Sequence, residues 1–155
     1  MTDPKGHMAA FLSTHLTAFS ALARVSLGGL PSGTDEALAA AVSALRTDCA
    51  AWGIPATDNM IAPRGLDPLA VAYVVLGSGL GTEVIRRKLL AGGIDPLPSY
   101  FTNRSGGDWR DLCARLDAID PESERAIRIV MDTDCCFDIF IRASAISATS
   151  TGGFV

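Results

Sequence analysis

The sequence predicts an all-α fold, a single-domain bundle of four main helices and one short one. Three observations carry this. Apolar residues recur at spacings of three and four in four separate segments. Each segment is punctuated by helix signals, Asp-Pro or Thr-Asp-Glu at its start and glycine or proline at its end. No segment alternates apolar and polar residues between hairpin turns, so no strand is expected. A length of 155 residues suits one domain. No repeat, low-complexity tract or linker divides it. One domain over 1–155 is therefore expected, with flexible ends at about 1–7 and 149–155.

The first helix is expected from His7 to about Leu27. Phe11, Leu12, His15, Leu16, Phe19, Leu22 and Ala23 form its apolar stripe, and Gly28-Gly29 with Pro31 stops it. Thr34 is placed to cap the second helix, with Asp35 and Glu36 in its first turn. Leu38, Ala41, Val42, Leu45, Cys49 and Trp52 form its buried face, and Gly53 and Pro55 end it. Ile54 to Leu66 holds three helix breakers and reads as a loop. Asp67-Pro68 is an N-cap followed by proline at the first helical position, and opens a helix to about Leu90. Gly92-Gly93 ends it, and Ile94–Gly107 reads as a second loop. Tyr100 and Phe101 in that loop are expected to mark a contact surface. Asp108 caps a short helix over Trp109–Ala118. Asp120-Pro121-Glu122 starts the last helix, with Ile127, Val130, Met131, Cys135, Ile139, Phe140 and Ala143 facing inward. The small, polar tail from Ser147 is expected to fray.

Composition narrows the function classes. Hydrophobic residues at 48% against 19% charged argue for a packed protein and against disorder. A net charge of −4 disfavours non-specific nucleic-acid binding. Every apolar run is interrupted before the roughly 18 residues that span a bilayer, so no membrane partner is expected. The start, Met-Thr-Asp-Pro-Lys-Gly-His, lacks a basic segment followed by an apolar run and is not a secretory signal. A cytoplasmic location is the expectation. Cys49, Cys113, Cys135 and Cys136 form no Cys-x-x-Cys pair and no zinc spacing, and read as reduced thiols. Of the adjacent Cys135 and Cys136, at most one faces the core.

The local anomaly is Gly77-Ser78-Gly79-Leu80-Gly81, inside the apolar run Ala70–Leu90. Each glycine costs a helix about 1 kcal/mol relative to alanine. The flanks carry no other turn signal, so a bent helix with a bare patch is expected. The pattern is neither a phosphate-binding loop, since no Gly-Lys-Ser/Thr follows, nor a dinucleotide fingerprint, since no strand precedes it. Bare backbone serves either close helix packing or a flat ligand. His15 lies on the first helix's apolar stripe, where a lone histidine is commonly a core residue. His7 sits in or before the first turn. Neither has a partner at ligand spacing for zinc or di-iron, and nothing marks a serine as a nucleophile. Arg86, Arg87 and Lys88 follow the glycines, suited to a solvated helix C-terminus or to ligand carboxylates. Arg142 on the last helix is weighed the same way.

The segment Tyr73-Val-Val-Leu-Gly-Ser-Gly-Leu-Gly-Thr-Glu-Val-Ile-Arg-Arg-Lys-Leu resembles the distal helix of bacterial heme oxygenases, especially those associated with bacteriophytochromes. Tyr73, Gly77, Ser78, Leu80 and Gly81 fall on that family's motif, and Thr82 stands where a second glycine is usual. Segments 11–25, 52–55, the helix from Pro68, 98–101, 108–117 and 136–144 are also similar and come in the family's order. The resemblance implies a heme oxygenase-like helical bundle, with heme held against a glycine-bent distal helix. It implies heme as cofactor, contacts from Tyr73, Gly77, Ser78, Gly79, Gly81, Arg86 and Arg142, and oxygen-dependent cleavage to biliverdin with an electron donor. The sequence departs from the family at its start, since the helix bearing the proximal axial histidine has no counterpart before Met8. His15 or His7 would have to substitute as iron ligand, and no catalytic residue is assigned. Two expectations result. One is a heme- or bilin-binding protein whose cleavage is lost or uses a non-standard ligand. The other is a non-catalytic interaction or regulatory protein, a homodimer that covers the groove left by the missing helix.

Overall fold

A computed structural model describes residues 3–25, 29–31, 33–55, 59–103 and 108–151. Among these the chain is helical, with no strand. Its elements are α1 (Pro4–Val25), α2 (Thr34–Ala51), α3 (Pro68–Ala91), α4 (Ser99–Thr102), α5 (Trp109–Asp117) and α6 (Glu124–Thr151). The expected end of α1 at Leu27 and the last residues of the tail fall outside the described residues.

Helix α1 begins three residues earlier than its stripe suggested. Asp3 accepts a hydrogen bond from the Gly6 backbone N–H at 3.0 Å, and Pro4 takes the first helical position. The start of α2 also differs. Its N-cap is Gly33 in the left-handed region (φ 81°), a conformation that glycine adopts without a Cβ clash. Thr34 is instead the first helical residue, fully buried, with no hydrogen-bond partner for its hydroxyl among the described residues. Helix α3 starts as the sequence predicts. Asp67 caps it by accepting from the Leu69 N–H at 2.9 Å, and Pro68 follows. Its helical backbone runs without interruption through Gly77, Gly79 and Gly81 to the Gly92 cap.

Helix α4 lies inside the segment read as a loop. It is too short to register as an apolar period, and its N-terminus is capped from another helix. The buried Asp48 carboxylate of α2 accepts the Ser99 N–H at 2.7 Å and the Tyr100 N–H at 2.8 Å. Asp108 caps α5 through the Asp111 N–H at 3.1 Å. The last helix starts later than Asp120-Pro121 suggested. Residues 120–123 form a turn, and Ser123 Oγ accepts from the Ala126 N–H at 3.1 Å. At its other end α6 continues to Thr151, so residues 147–151 are helical and Ser147 is buried.

Helix α1 packs against α6 and α2, and α3 packs against α6, α2 and α5. Leu12, Leu16, Phe19, Leu22, Leu45, Leu112 and Ile139 form the centre of the core. The inward face of α6 corrects the expectation. Ile129, Cys136, Ile139, Ala143 and Ser147 are buried, whereas Ile127, Val130 and Met131 are exposed. Both sets recur at helical spacing, and the helix is apolar on two opposite sides. Cys136, and not Cys135, is the core thiol. Burial pushes Cys136 up to about 12 and Cys49 up to about 11, so both remain neutral thiols at ordinary pH.

By length and composition α3 could cross a membrane, with an 18-residue window of mean hydropathy 1.5. In the bundle, Leu69 to Leu76 apart from Tyr73 is buried against other helices. Its second half is largely exposed, with Leu80, Val84 and Leu90 at the surface beside Glu83, Arg86 and Arg87.

Candidate functional site

The second half of α3 leaves the core and borders an open cavity of about 460 Å3. Leu76, Gly79 and Leu80 supply the α3 wall. Tyr100 and Phe101 of α4 and Phe19 of α1 supply aromatic walls, and Trp109 of α5 supplies another. Ala37 and Ala41 of α2 complete the lining with small side chains. The volume lies within the roughly 300–1,000 Å3 usual for small-molecule sites.

Tyr100 and Phe101 were expected to mark an exposed contact surface. Tyr100 and Phe101 are instead buried, because the Asp48 tether turns their short helix inward. Their partners form one aromatic cluster. Phe11 stacks on Phe101 with centroids 5.4 Å apart, and Phe19 meets Phe140 edge-on at 5.3 Å.

Polar groups gather on the α3 side. Thr82 Oγ1 lies 2.8 Å from the Ser78 carbonyl and 3.1 Å from the Tyr100 hydroxyl. The carbonyl only accepts, so Thr82 donates to it and the Tyr100 hydroxyl donates to Thr82. Burial pushes the Tyr100 phenol up. At the rim, Glu83 accepts two bonds from Arg86, from Nε and Nη2, each at 2.8 Å, and one from Arg87 Nε at 3.0 Å. The Arg86 bonds, aided by Arg87, hold the Glu83 carboxyl down at about 2. Arg86 is thus occupied by its own helix. Arg87 reaches the cavity with its side chain mostly exposed and only its Nε engaged.

The three glycines of the motif have different surroundings. A Cβ added at Gly77 would meet the Trp109 ring at 3.6 Å, an ordinary contact. One added at Gly79 or Gly81 would meet nothing within 4 Å. Gly79 alone of the three lines the cavity, while Gly81 is exposed away from it. Ser78 is half-buried and offers its carbonyl to Thr82. Tyr73 is exposed and lies beside Trp109, with centroids 5.7 Å apart. Arg142 is exposed on α6 and does not line the cavity.

His15 stands one side chain behind the wall. Its ring stacks on Phe11 at 3.8 Å and contacts Phe19 and Tyr100, both of which line the cavity. Its Nδ1 is 2.8 Å from the Phe11 carbonyl, which fixes the proton on Nδ1. Burial lowers its pKa to about 4, against a smaller opposing effect of the Phe11 carbonyl. His7 is exposed near the start of α1. Among the described residues, no three of His, Cys, Asp and Glu come together as a metal-holding group.

No family model, curated protein or solved structure matches the chain.

Sequence reasoning missed Asp48, Thr82, Glu83 and Trp109 as parts of the site. Asp48 carried no signal, since its role depends on a segment 51 residues away. Glu83 did carry one. A glutamate followed by arginines three and four residues later is a helix-face ion pair.

Proposed function

We propose that this chain is a heme oxygenase-like protein that binds a tetrapyrrole, heme or a bilin, and no longer cleaves it. The observation that carries this reading is the bare backbone of Gly79 on the cavity side of α3, opposite aromatic walls. A flat conjugated ring packs against such a surface at close range, and any side chain at that position would occupy its space. The apolar lining suits the ring faces. Arg87 at the rim suits a ring carboxylate, because its terminal nitrogens are not consumed by Glu83.

The residues present fit the plane of a heme and not its iron. Bound heme would supply oxygen activation, which needs a strong axial ligand. Among the described residues, the cavity is lined by no histidine, cysteine or methionine. Tyr100 is its one phenol among the described residues, held neutral by burial and hydrogen-bonded to Thr82. His15 is separated from the cavity by the rings of Phe19 and Tyr100 and is locked to the Phe11 carbonyl. No catalytic step is therefore assigned to any residue.

Titration with hemin and with biliverdin, followed by absorption, tests the reading. A saturable spectral shift is expected, with no loss of heme when a reductant is added in air. Turnover to a bilin would overturn the loss of cleavage, and no shift with either pigment would sink the binding itself. A second reading, an interaction protein without ligand, draws on the apolar outer face of α6.

A further inference from the structure

The outer face of α6 is an apolar surface that the cavity does not use. Ile127, Val130, Met131, Phe137 and Ile141 are 57%, 63%, 62%, 48% and 66% exposed. At 100° per residue they fall within one stripe about a third of the helix circumference wide, opposite the buried face of Ile129, Cys136 and Ala143. Ala145 and Ala148 continue the same stripe toward the C-terminus and are also exposed. Apolar surface of this extent on one helix marks a contact site.

We propose that this face docks a second copy of the chain, α6 against α6 in antiparallel orientation, with the two-fold axis passing near Asp138. Two features of the stripe select this occupant. Its N-terminal part is bulky, and beyond Ile141 it narrows to Ala145 and Ala148. Antiparallel pairing about Asp138 sets Ile127, Val130 and Met131 of one copy over Ala145 and Ala148 of the other. Large side chains then fill the space over small ones, as close-packed helices require.

The second feature is charge. Asp134, Asp138 and Arg142 lie on or beside the stripe at intervals of four, and none pairs with another described residue. In the same register Asp134 of each copy faces Arg142 of the other, giving two equivalent pairs on either side of the axis, where the two Asp138 carboxylates face each other. The stripe from Ile127 to Ala148 is about 33 Å long at 1.5 Å per residue. A lipid surface is the poorer fit. Lipid offers no fixed cation to the carboxylates within the stripe, whereas a second copy sets Arg142 opposite Asp134.

Sedimentation velocity of the full chain over a wide concentration range tests the proposal. A monomer–dimer equilibrium is expected. Met131→Lys, at a position exposed in the single copy, should abolish the dimer without changing the far-UV circular dichroism. D134R alone and R142D alone should each weaken the dimer by about tenfold or more, since each sets like charges opposite one another. The D134R/R142D double variant should restore it. A chain that stays monomeric at every concentration overturns the proposal, and so does a dimer indifferent to Met131→Lys. Failure of the double variant to recover overturns the antiparallel register. A monomer that binds phosphatidylcholine vesicles through the same stripe assigns it to lipid and overturns the second copy.

Discussion

The Asp48 carboxylate reaches from α2 to the backbone N–H of Tyr100 at 2.8 Å, and its other oxygen takes the neighbouring Ser99 N–H. One buried side chain thereby orients the aromatic wall of the cavity. A four-residue helix closes too few internal bonds to persist alone. Its position depends on this external cap.

Asp48→Ala should therefore cost about 3 kcal/mol, because two charge-assisted bonds are lost and two backbone donors are orphaned. Asp48→Asn keeps one acceptor oxygen and should cost less. Urea denaturation measures both. An unchanged midpoint in the alanine variant would show that α4 is held by its aromatic packing alone.

The open glycines separate stability from binding. Gly79→Ala and Gly81→Ala each add a Cβ that meets nothing, so each should stabilise the helix by about 1 kcal/mol. Only Gly79 borders the cavity. Gly79→Ala should weaken pigment binding while Gly81→Ala leaves it unchanged. Thermal melts and absorption titrations of the same two samples make the comparison. Equal effects on binding would remove Gly79 from its place against the ligand.

His15 supplies a pH dependence of definite sign. Its pKa falls from 6.5 to about 4 in the folded state, chiefly through burial. Between those values the unfolded chain binds the proton and the folded chain does not, so stability falls as pH drops. The contribution is complete above about pH 6.5 and is lost by about pH 4, amounting to about 3 kcal/mol. His15→Gln should flatten this part of the stability–pH profile relative to wild type. Parallel profiles for the two proteins would mean that the imidazole titrates normally.

The two sides of α6 should respond oppositely to truncation. Ile139 is fully buried, and Ile139→Ala should cost about 3 kcal/mol. Ile127 is 57% exposed, and Ile127→Ala should change the stability of a single copy by less than about 0.5 kcal/mol. Denaturation at high dilution reports the single-copy values. A large loss at Ile127 would place that residue in the core.

That contrast shows what periodicity can and cannot reveal. Ile127, Val130 and Met131 carry the spacing of a core stripe, and so do Ile129, Cys136, Ile139 and Ala143. Spacing identifies a face, and packing decides which of two faces is buried. The ends of α3 were legible because Asp67-Pro68 and Gly92-Gly93 act locally. The start of α6 was not, because Ser123 two residues past the proline competes with Asp120 as cap. Tyr100 and Phe101 read as loop residues because their cap comes from Asp48, far away in sequence. The glycine motif flagged the helix that borders the cavity. Which glycine faces it depends on the positions of Trp109 and Tyr100, contacts between segments that no local pattern encodes.

The placement of the two tryptophans makes the molecule its own optical reporter. Trp109 borders the cavity and lies over Gly77 and beside Tyr73. Trp52 is exposed beyond the last turn of α2 and does not line it. Emission from the protein therefore divides into a solvent-exposed, red-shifted background and one indole that any occupant touches. An absorbing pigment in the cavity should quench the Trp109 share most strongly. Trp52→Phe would leave that signal isolated, turning intrinsic fluorescence into a direct readout of cavity occupancy.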